Sequence, residues 1–523
     1  MMRSCGRRLP YTEVIFGVLS ARVSSMPETN ARAEGATAAR GARWMALAIV
    51  SVGLSNYGYA LLLTHLLDVT AYSAFAASQS LILWALNSAT ASVPLILAQA
   101  IVRSTTEDER NSALRFVKLA SVGIGLVAAA IVGAIVTRFG SPATALIVAL
   151  SIFVLFLGTT TTGWLQGLQR IRSLSILYIA ENVLKNGTGI LLVTVAGLGA
   201  TGALGAFGIG ALAMLLRWPR TPRATARMWW SALANRDLWR RAAAMGGAQG
   251  LVSVFAAIDV VLVAILPGDR TLAASYQVSA TVSRIPLYIA SSVGVAFFPV
   301  LARRAADRTL IAAQALRMYA AAALPVAAVL ATAPPSVLAL VFPSQYGAVA
   351  TLLKFTTVTG LAVGGITMVT AFFQAADEYS CQWWLGAGLA AFVAGLLAGW
   401  RIDGITGLAA GGALGAMTAA AVMGYLLLRR YGHRAIARIP LLESLAAAAV
   451  LVALRPLPRL WLAVACAVGL HATMRFLRPG ARHRREPRLA MPSRASTKCD
   501  ISLNADKSPR GKHRTVRRMG VTR

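Results

Sequence analysis

The residues of this chain that could do chemistry are a few charged side chains set inside long apolar stretches. Asp259 and Arg284 lie in two consecutive stretches and, if these are helices, sit about 10 and 15 Å from the same end. An ionisable group inside a bilayer is unfavourable by several kcal/mol unless it is paired or hydrated, so it marks a functional site by default. Two interpretations stay open. The two residues form a fixed structural ion pair, or Arg284 binds an anion while Asp259 tunes it or carries a coupling proton or cation.

Further charged and polar candidates lie in other apolar stretches. Glu181 and Lys185 are spaced i and i+4 in the favourable order, so they either neutralise each other or line a cavity. Lys354 stands near the end of a stretch, where it either extends its amino group to the interface or joins the same cavity. The remaining cavity candidates are polar residues of the first two stretches: His65, Asn56 and Gln79.

Patterns typical of enzymes and metal proteins give no support to a catalytic function. Residues 197–202 fit GxGxxG, but they follow no strand and no acidic residue lies about twenty positions on. There is no Walker A sequence, and the four cysteines form neither a CxxC motif nor a Cys/His cluster. We therefore expect no catalytic residue, no metal site and no cofactor.

The amino-acid composition indicates the class of protein in which these charged residues lie. The chain has 523 residues, of which 57% are hydrophobic and 13% charged, with a net charge of +32 and a mean hydropathy of +0.64. A soluble protein has roughly twice that charged fraction, and the apolar content excludes a disordered chain. The scarcity of polar surface also argues against a nucleic-acid partner. What remains is a polytopic membrane protein.

Apolar runs of about 20 residues, enough to cross a bilayer as a helix, recur along the chain. They predict an all-α protein with about fourteen transmembrane spans. Gly407, Gly411 and Gly415 form a GxxxGxxxG pattern that favours close helix packing. The predicted spans are 44–66, 73–101, 116–137, 143–166, 174–196, 199–216, 242–266, 273–301, 315–342, 350–375, 382–400, 405–428, 440–456 and 460–477.

The loops indicate orientation. With the N-terminus inside, the inner loops carry 21 Lys and Arg residues and the outer loops 5, which places both termini in the cytoplasm by the positive-inside rule. The predicted organisation is a basic, disordered cytoplasmic extension (1–43), an N-lobe of spans 1–6 (44–216), a basic cytoplasmic loop (217–241), a C-lobe of spans 7–12 (242–428), spans 13 and 14 (429–477), and a basic, disordered cytoplasmic tail (478–523).

An internal repeat relates the two lobes. Matching segments recur at offsets of 208, 205 and 198–200 residues, in consistent order. Six spans per unit keep both lobes in the same orientation, with a cavity between them, a design that suits alternating access. The matches are Thr162–Gly167 with Thr370–Ala375, Thr201-Gly202 with Thr406-Gly407, and Gln79 to Arg103 with Gln277 to Arg303.

Over residues 44–480 the chain resembles the polysaccharide-transporter (O-antigen flippase) branch of the multidrug/oligosaccharidyl-lipid/polysaccharide (MOP) flippase superfamily. The similarity lies in the order and spacing of several segments. His65 departs from the family pattern, where many relatives carry Arg, and Ser73 replaces a Gly. The segments are Leu61–Phe75, Trp164–Arg172, Tyr276–Arg304 with Pro286 and Phe298-Pro299, and Val341–Ala348.

The resemblance implies a function. Members of the branch move undecaprenyl-diphosphate-linked oligosaccharides across the bacterial cytoplasmic (inner) membrane for surface polysaccharide or lipopolysaccharide synthesis. Partners would be that lipid-linked substrate, membrane lipids and polysaccharide polymerase or assembly proteins. In lipid II flippases, arginines on helices 1, 2 and 8 line the cavity; here helices 1 and 2 offer only polar side chains and His65, so Arg284 stands alone.

Two alternatives stay open. A MATE-type drug–cation antiporter of the same fold would have twelve spans and a cavity dominated by carboxylates, so the extra spans and Arg284 argue against it. A polysaccharide polymerase or ligase would need catalytic residues in a large outer loop, and no outer loop exceeds about ten residues.

Overall fold

A computed structural model describes residues 51–477, except 54, 91–92, 105, 224, 302–307, 377, 379 and 434–438. Within these residues the chain is helical and contains no strand. The expectations for the extension (1–43) and the tail (478–523) lie outside the described residues. The expected all-α polytopic fold is confirmed.

The described part of the first half contains seven helices, some of which begin at a residue whose side chain caps the first turn. Thr106 accepts a hydrogen bond from the backbone N–H of Glu109, and Ser141 accepts one from Thr144 ahead of the first turn containing Pro142. The helices are α1 (55–66), α2 (Val69–Thr90), α3 (Val93–Arg103), α4 (Glu107–Val136), α5 (Pro142–Gly167), α6 (Ile171–Thr194) and α7 (Gly199–Leu215).

The second half continues the pattern with more interruptions. One short helix (Ala226–Leu233) stands outside the predicted spans, and a 3₁₀ turn (Ser344–Tyr346) precedes α15. The helices are α8 (Ala226–Leu233), α9 (Arg236–Phe255), α10 (Ile258–Ile265), α11 (Arg270–Ser283), α12 (Ile285–Leu301), α13 (Arg308–Thr332), α14 (Pro335–Val341), α15 (Val349–Ala375), α16 (Cys381–Tyr431), α17 (Leu441–Ala453) and α18 (Pro458–Leu477).

The predicted spans fall on these helices, but three differ in detail. Span 7 is two helices, α9 and α10, bent by 51° relative to each other, and span 8 is interrupted at Arg284 between α11 and α12. Span 9 was predicted to reach residue 342, which is wrong. Helix α13 ends at Thr332, because Pro334 and Pro335 cannot continue it, and α14 is a separate helix. Seven described helices are long and apolar enough to span a membrane, or eight if α9 and α10 form one bent span.

Spans 11 and 12 form one tight hairpin within α16. The backbone leaves the helix at Asp403 (φ −144°) and at Gly404, whose φ of +53° a glycine adopts without strain. A Cβ atom added to Gly407 would collide with the carbonyl oxygen of Gly399, and one on Gly411 with that of Gly395. The GxxxGxxxG pattern is therefore a close-packing surface, as predicted from the sequence.

Helix α2 makes the main contacts between the two halves. It packs against α9, α10 and α11, and one apolar core runs through both halves. Helix α2 is thereby placed against the stretch of chain that carries Asp259.

The structure shows a further match between the two halves, which the comparison of the sequence repeats did not include. Residues 93–95 (Val-Pro-Leu), which follow the undescribed residues 91–92 and begin α3, match residues 285–287 (Ile-Pro-Leu), which begin α12. A Cβ on Gly163 would lie 2.6 Å from the carbonyl oxygen of Pro94, and a Cβ on Gly364 would lie 3.0 Å from that of Pro286. In each half a glycine of a neighbouring helix, α5 or α15, therefore approaches the proline carbonyl. Ser92 precedes the first motif in the sequence and Arg284 the second.

Candidate functional site: an ion pair between interrupted helices

Arg284 and Asp259 form an ion pair in the interior of the second half. The Nη2 atom of Arg284 lies 3.1 Å from Oδ1 of Asp259, and their side chains are 14% and 6% exposed. The structure thus brings together the two residues that the sequence had placed at similar depth on consecutive spans. The pairing compensates the unfavourable desolvation of each charge.

The pair has two further polar contacts, which connect it to both halves. The hydroxyl of Tyr276, on α11, donates to Oδ2 of Asp259 at 3.1 Å. On the other side, Nη1 of Arg284 lies 3.5 Å from Oγ of Ser80, on α2. The guanidinium therefore contacts a carboxylate of the second half and a hydroxyl of the first.

Both charged residues lie where a span is interrupted. Asp259 is in the first turn of α10, near the positive end of the helix dipole, and Arg284 lies between α11 and α12. Pro286 explains the second interruption, because it has no N–H and its ring excludes the carbonyl of residue 282 from a regular helix. Interrupted helices are where transporters commonly place charged substrates and coupling ions.

Helix α15 supports the interruption at Arg284 by very close packing. A Cβ on Gly360 would overlap the carbonyl group of Ser283, the residue before Arg284. Thr356 and Thr359, on the same helix, line a small pocket together with Asp259 and Arg284. Both threonine hydroxyls donate to carbonyls of their own helix, so the guanidinium is the strongest hydrogen-bond donor in this pocket.

A second polar cluster lies in the first half and joins α1 to α6. Oδ1 of Asn56 accepts hydrogen bonds from Nδ2 of Asn182 at 2.7 Å and from Nζ of Lys185 at 2.5 Å. Asn186 adds a bond from Nδ2 to the hydroxyl of Ser55 at 2.8 Å. This cluster ties span 1 to span 5 through side chains that an apolar environment would otherwise leave unpaired.

The alternative in which Glu181 and Lys185 neutralise each other stays a prediction, because the two charges are neighbours on α6 but form no close ion pair. In the described part of the chain no ion pair within 4.0 Å joins them. The amino group of Lys185 instead reaches Asn56 and lies 4.9 Å from the centre of the Phe207 ring. The i, i+4 rule describes an isolated helix, and here a neighbouring helix places an amide oxygen within hydrogen-bond distance of Lys185.

Three candidates are not brought to the ion pair. His65 is exposed, and its Nδ1 lies 3.2 Å from both the hydroxyl of Thr64 and the carbonyl oxygen of Leu61. Lys354 is exposed, and its amino group lies 4.9 Å from the centre of the Phe355 ring. Gln79 is half-buried, and no hydrogen bond of its side chain is found among the described residues.

Sequence reasoning missed several residues of these clusters. Tyr276 precedes Arg284 by eight residues, which is the spacing of one helix face and would have identified it. Ser80, Asn182 and Asn186 carry no distinguishing signal, because their partners lie more than 120 residues away. Tyr57 also belongs near the site. Its ring contacts that of Tyr288 edge to face at 5.8 Å, and its hydroxyl is buried without a hydrogen-bond partner in the described residues.

The chain resembles known proteins in its fold but not in its sequence. No protein-family model matches the chain, and a search of curated protein sequences finds no significant match. Among solved structures, the lipid II flippase MurJ in an inward closed conformation matches with a TM-score of 0.61 at 10% identity, covering 82% of this chain and 98% of that one.

Two transporters of the same superfamily are also similar. An inward-facing multidrug resistance MATE transporter gives a TM-score of 0.54 at 16% identity, covering 72% of this chain and 95% of that one. A MOP transporter from Pyrococcus furiosus gives 0.53 at 16% identity, with 76% and 96% covered. The chain has the MOP-transporter fold. Within that fold, the sites of this chain rest on its own residues, since identities of 10 to 16% carry over the architecture alone.

Proposed function

We propose that the chain is a flippase that moves an undecaprenyl-diphosphate-linked oligosaccharide from the cytoplasmic to the outer leaflet of the bacterial inner membrane, for surface polysaccharide synthesis. The observation that carries the proposal is Arg284, a cation at an interrupted helix that contacts both halves of a MOP fold. In this proposal the two lobes alternate in access around the ion pair.

The chemistry of such a substrate requires a cation within the protein. A diphosphate and its sugars cannot enter hydrocarbon without losing their hydration, and that loss is the barrier to flipping. The planar guanidinium of Arg284 can bind two phosphate oxygens at once and replace part of that hydration. Asp259 and Tyr276 would hold it in place until the diphosphate competes for it.

The two C-terminal helices support a lipid-linked substrate. Helices α17 and α18 pack on α13 and add an apolar cluster that includes Leu451 and Trp461. Pro325 of α13 and Val464 of α18 line a mainly apolar groove there, which suits a polyprenyl tail. The structural match to the flippase covers 82% of the chain, and the matches to MATE transporters cover 72 to 77%.

One observation favours the antiporter as a second candidate. Asp259 is a buried carboxylate at a helix interruption, and such a group is what a proton- or cation-coupled carrier needs. In the flippase the same carboxylate would instead hold the guanidinium of Arg284 in place until the diphosphate binds. The two functions differ in the charge of the substrate, anionic for the flippase and cationic for the antiporter.

A reconstituted assay separates the two. The purified full chain is placed in liposomes that contain a fluorescent undecaprenyl-diphosphate-linked disaccharide, and the fraction accessible to an external quencher is followed with time. We expect the wild-type protein to make the inner-leaflet pool accessible. Arg284→Ala is expected to lower that rate at least about tenfold, because a charge-assisted bond to phosphate contributes roughly 1.5–3 kcal/mol.

The control is the same lipid carrying a neutral glycosidic link in place of the diphosphate, which should not be moved. Transport of a cationic dye, in exchange for protons and without any transport of the diphosphate lipid, would make the antiporter the correct function. Equal diphosphate-lipid flipping by wild type and Arg284→Ala would remove Arg284 from the mechanism.

A further inference from the structure

The segment that links the two halves, residues 217–241, has a strongly basic surface that the ion-pair site does not explain. It contains seven arginines and a single acidic residue, Asp237. Six of the arginine side chains are exposed: Arg217, Arg220, Arg223, Arg227, Arg236 and Arg240. Positive charge at this density, exposed and without matching acidic side chains, indicates an anionic partner.

The linking segment is held against the ends of spans in the first half. Nζ of Lys118, on α4, donates to the hydroxyl of Thr221 at 3.4 Å and lies 5.2 Å from the ring centre of Trp218. Further along, the ring of Trp239 packs edge to face on Phe116 at 5.2 Å. The arginines therefore stand on an anchored surface beside the membrane-spanning helices.

The same segment exposes large apolar side chains beside its arginines. On α8, Ala232 is buried against the first half, while Trp230 is 70% exposed. Leu216, just before the segment, is 81% exposed. Tryptophan favours the headgroup level of a membrane, and exposed tryptophan next to arginine is typical of a surface that lies in that layer.

We propose that the linking segment is a binding surface for anionic phospholipid headgroups of the inner leaflet. The arginines contact lipid phosphates while Trp230 and Leu216 enter the boundary between headgroups and acyl chains. A basic residue near an anionic leaflet contributes an attraction that falls off within about 10 Å and weakens with salt. The surface would hold the connection between the halves on the membrane, whatever substrate the protein moves.

The test measures lipid binding by the purified full-length protein in detergent. Phosphatidylglycerol or phosphatidylcholine is titrated in, and bound lipids are counted by native mass spectrometry. We expect the wild-type protein to prefer phosphatidylglycerol, and added salt to reduce the preference. The variant with Arg217, Arg220, Arg223 and Arg227 all changed to Gln is expected to bind phosphatidylglycerol at least about tenfold more weakly.

The control variant removes the same charge from the opposite, predicted outer side. Four exposed arginines there are changed to Gln: Arg138, Arg401, Arg455 and Arg459. It should keep the wild-type preference. If both variants lose binding equally, or the wild-type protein does not distinguish the two lipids, the proposal is wrong.

Two further measurements keep the result decisive. Trp230→Ala leaves every charge in place and should weaken binding of both lipids, so its outcome can be interpreted even if the fourfold variant does not fold. A short RNA is added as a competitor. If RNA displaces the lipid at concentrations below those at which phosphatidylglycerol binds, the surface is a nucleic-acid site. That result would overturn the proposal.

Discussion

Arg284 and Asp259 are paired at 3.1 Å across two interrupted spans, one in the first turn of α10 and the other between α11 and α12. A pair held by interrupted helices differs from one between regular helices, because small movements of either helix end change the distance. A second contact of Arg284, to Ser80, joins this pair to α2, the helix that makes the main contacts between the two halves.

Removing one charge of the pair should be more harmful to stability than removing both. Asp259→Asn or Arg284→Gln leaves an unpaired charge in the interior, which lowers the free energy of unfolding by about 3 kcal/mol. The variant with both changes should recover most of that loss, because no buried charge remains. Thermal unfolding of the three purified variants in detergent measures the difference.

Transport by the same variants separates structure from function. If Arg284 binds the substrate, the doubly changed variant is stable but does not flip the diphosphate lipid. Normal flipping by that variant would show that the pair only holds the two spans together.

Gly360 should tolerate no side chain. The Cβ of Gly360→Ala would overlap the carbonyl group of Ser283 and push α15 away from the interruption. We expect a loss of about 1–3 kcal/mol, the usual effect of overpacking. Gly365→Ala is the matched control, since a Cβ there meets no atom within 4 Å and alanine favours the helix. Equal melting temperatures for the two variants would contradict the close packing.

Asn56 should be important because one oxygen serves two donors. Asn56→Ala removes the acceptor for both Asn182 and Lys185, and leaves an ammonium group without its 2.5 Å partner. We expect a loss of about 2 kcal/mol in the free energy of unfolding. Asn87→Ala, at an exposed position of α2, should change stability by less than about 0.5 kcal/mol. A similar effect of the two substitutions would show that the cluster adds no stability.

The proposed orientation can be measured by labelling single cysteines in intact cells, with the four native cysteines replaced. A membrane-impermeant maleimide should label a cysteine at position 459, between α17 and α18, and should not label one at position 220 in the linking segment. The reason is the excess of basic residues in the loops predicted to be inner. Labelling at position 220 and protection at position 459 would reverse the orientation.

The sequence predicted an all-helical polytopic fold, because about 20 apolar residues are a direct physical requirement for crossing a bilayer. It also predicted that Asp259 and Arg284 could meet, since consecutive spans run antiparallel. Two features had usable signals that the sequence interpretation did not include. Pro334-Pro335 marks the end of α13, and the Val-Pro-Leu and Ile-Pro-Leu motifs stand at matching positions of the two halves.

Other features could not be predicted from local patterns. No proline or glycine lies between Phe255 and Asp259, so the bend between α9 and α10 depends on packing with other helices. The choice of Asn56 over Glu181 as partner of Lys185 depends on a residue 129 positions away. Helix propensity and spacing describe one helix at a time, whereas both of these features arise from contacts between helices.

The hairpin within α16 has a consequence for how the chain is made. Its two arms touch through glycine backbones, at Gly399 with Gly407 and at Gly395 with Gly411, and only the residues around Asp403 and Gly404 join them. The first arm emerges from the ribosome before its partner exists, with its glycine surface facing lipid. We expect the arms to leave the insertion machinery together, so that Arg401 and Asp403 cross the bilayer at the tip of a preformed pair.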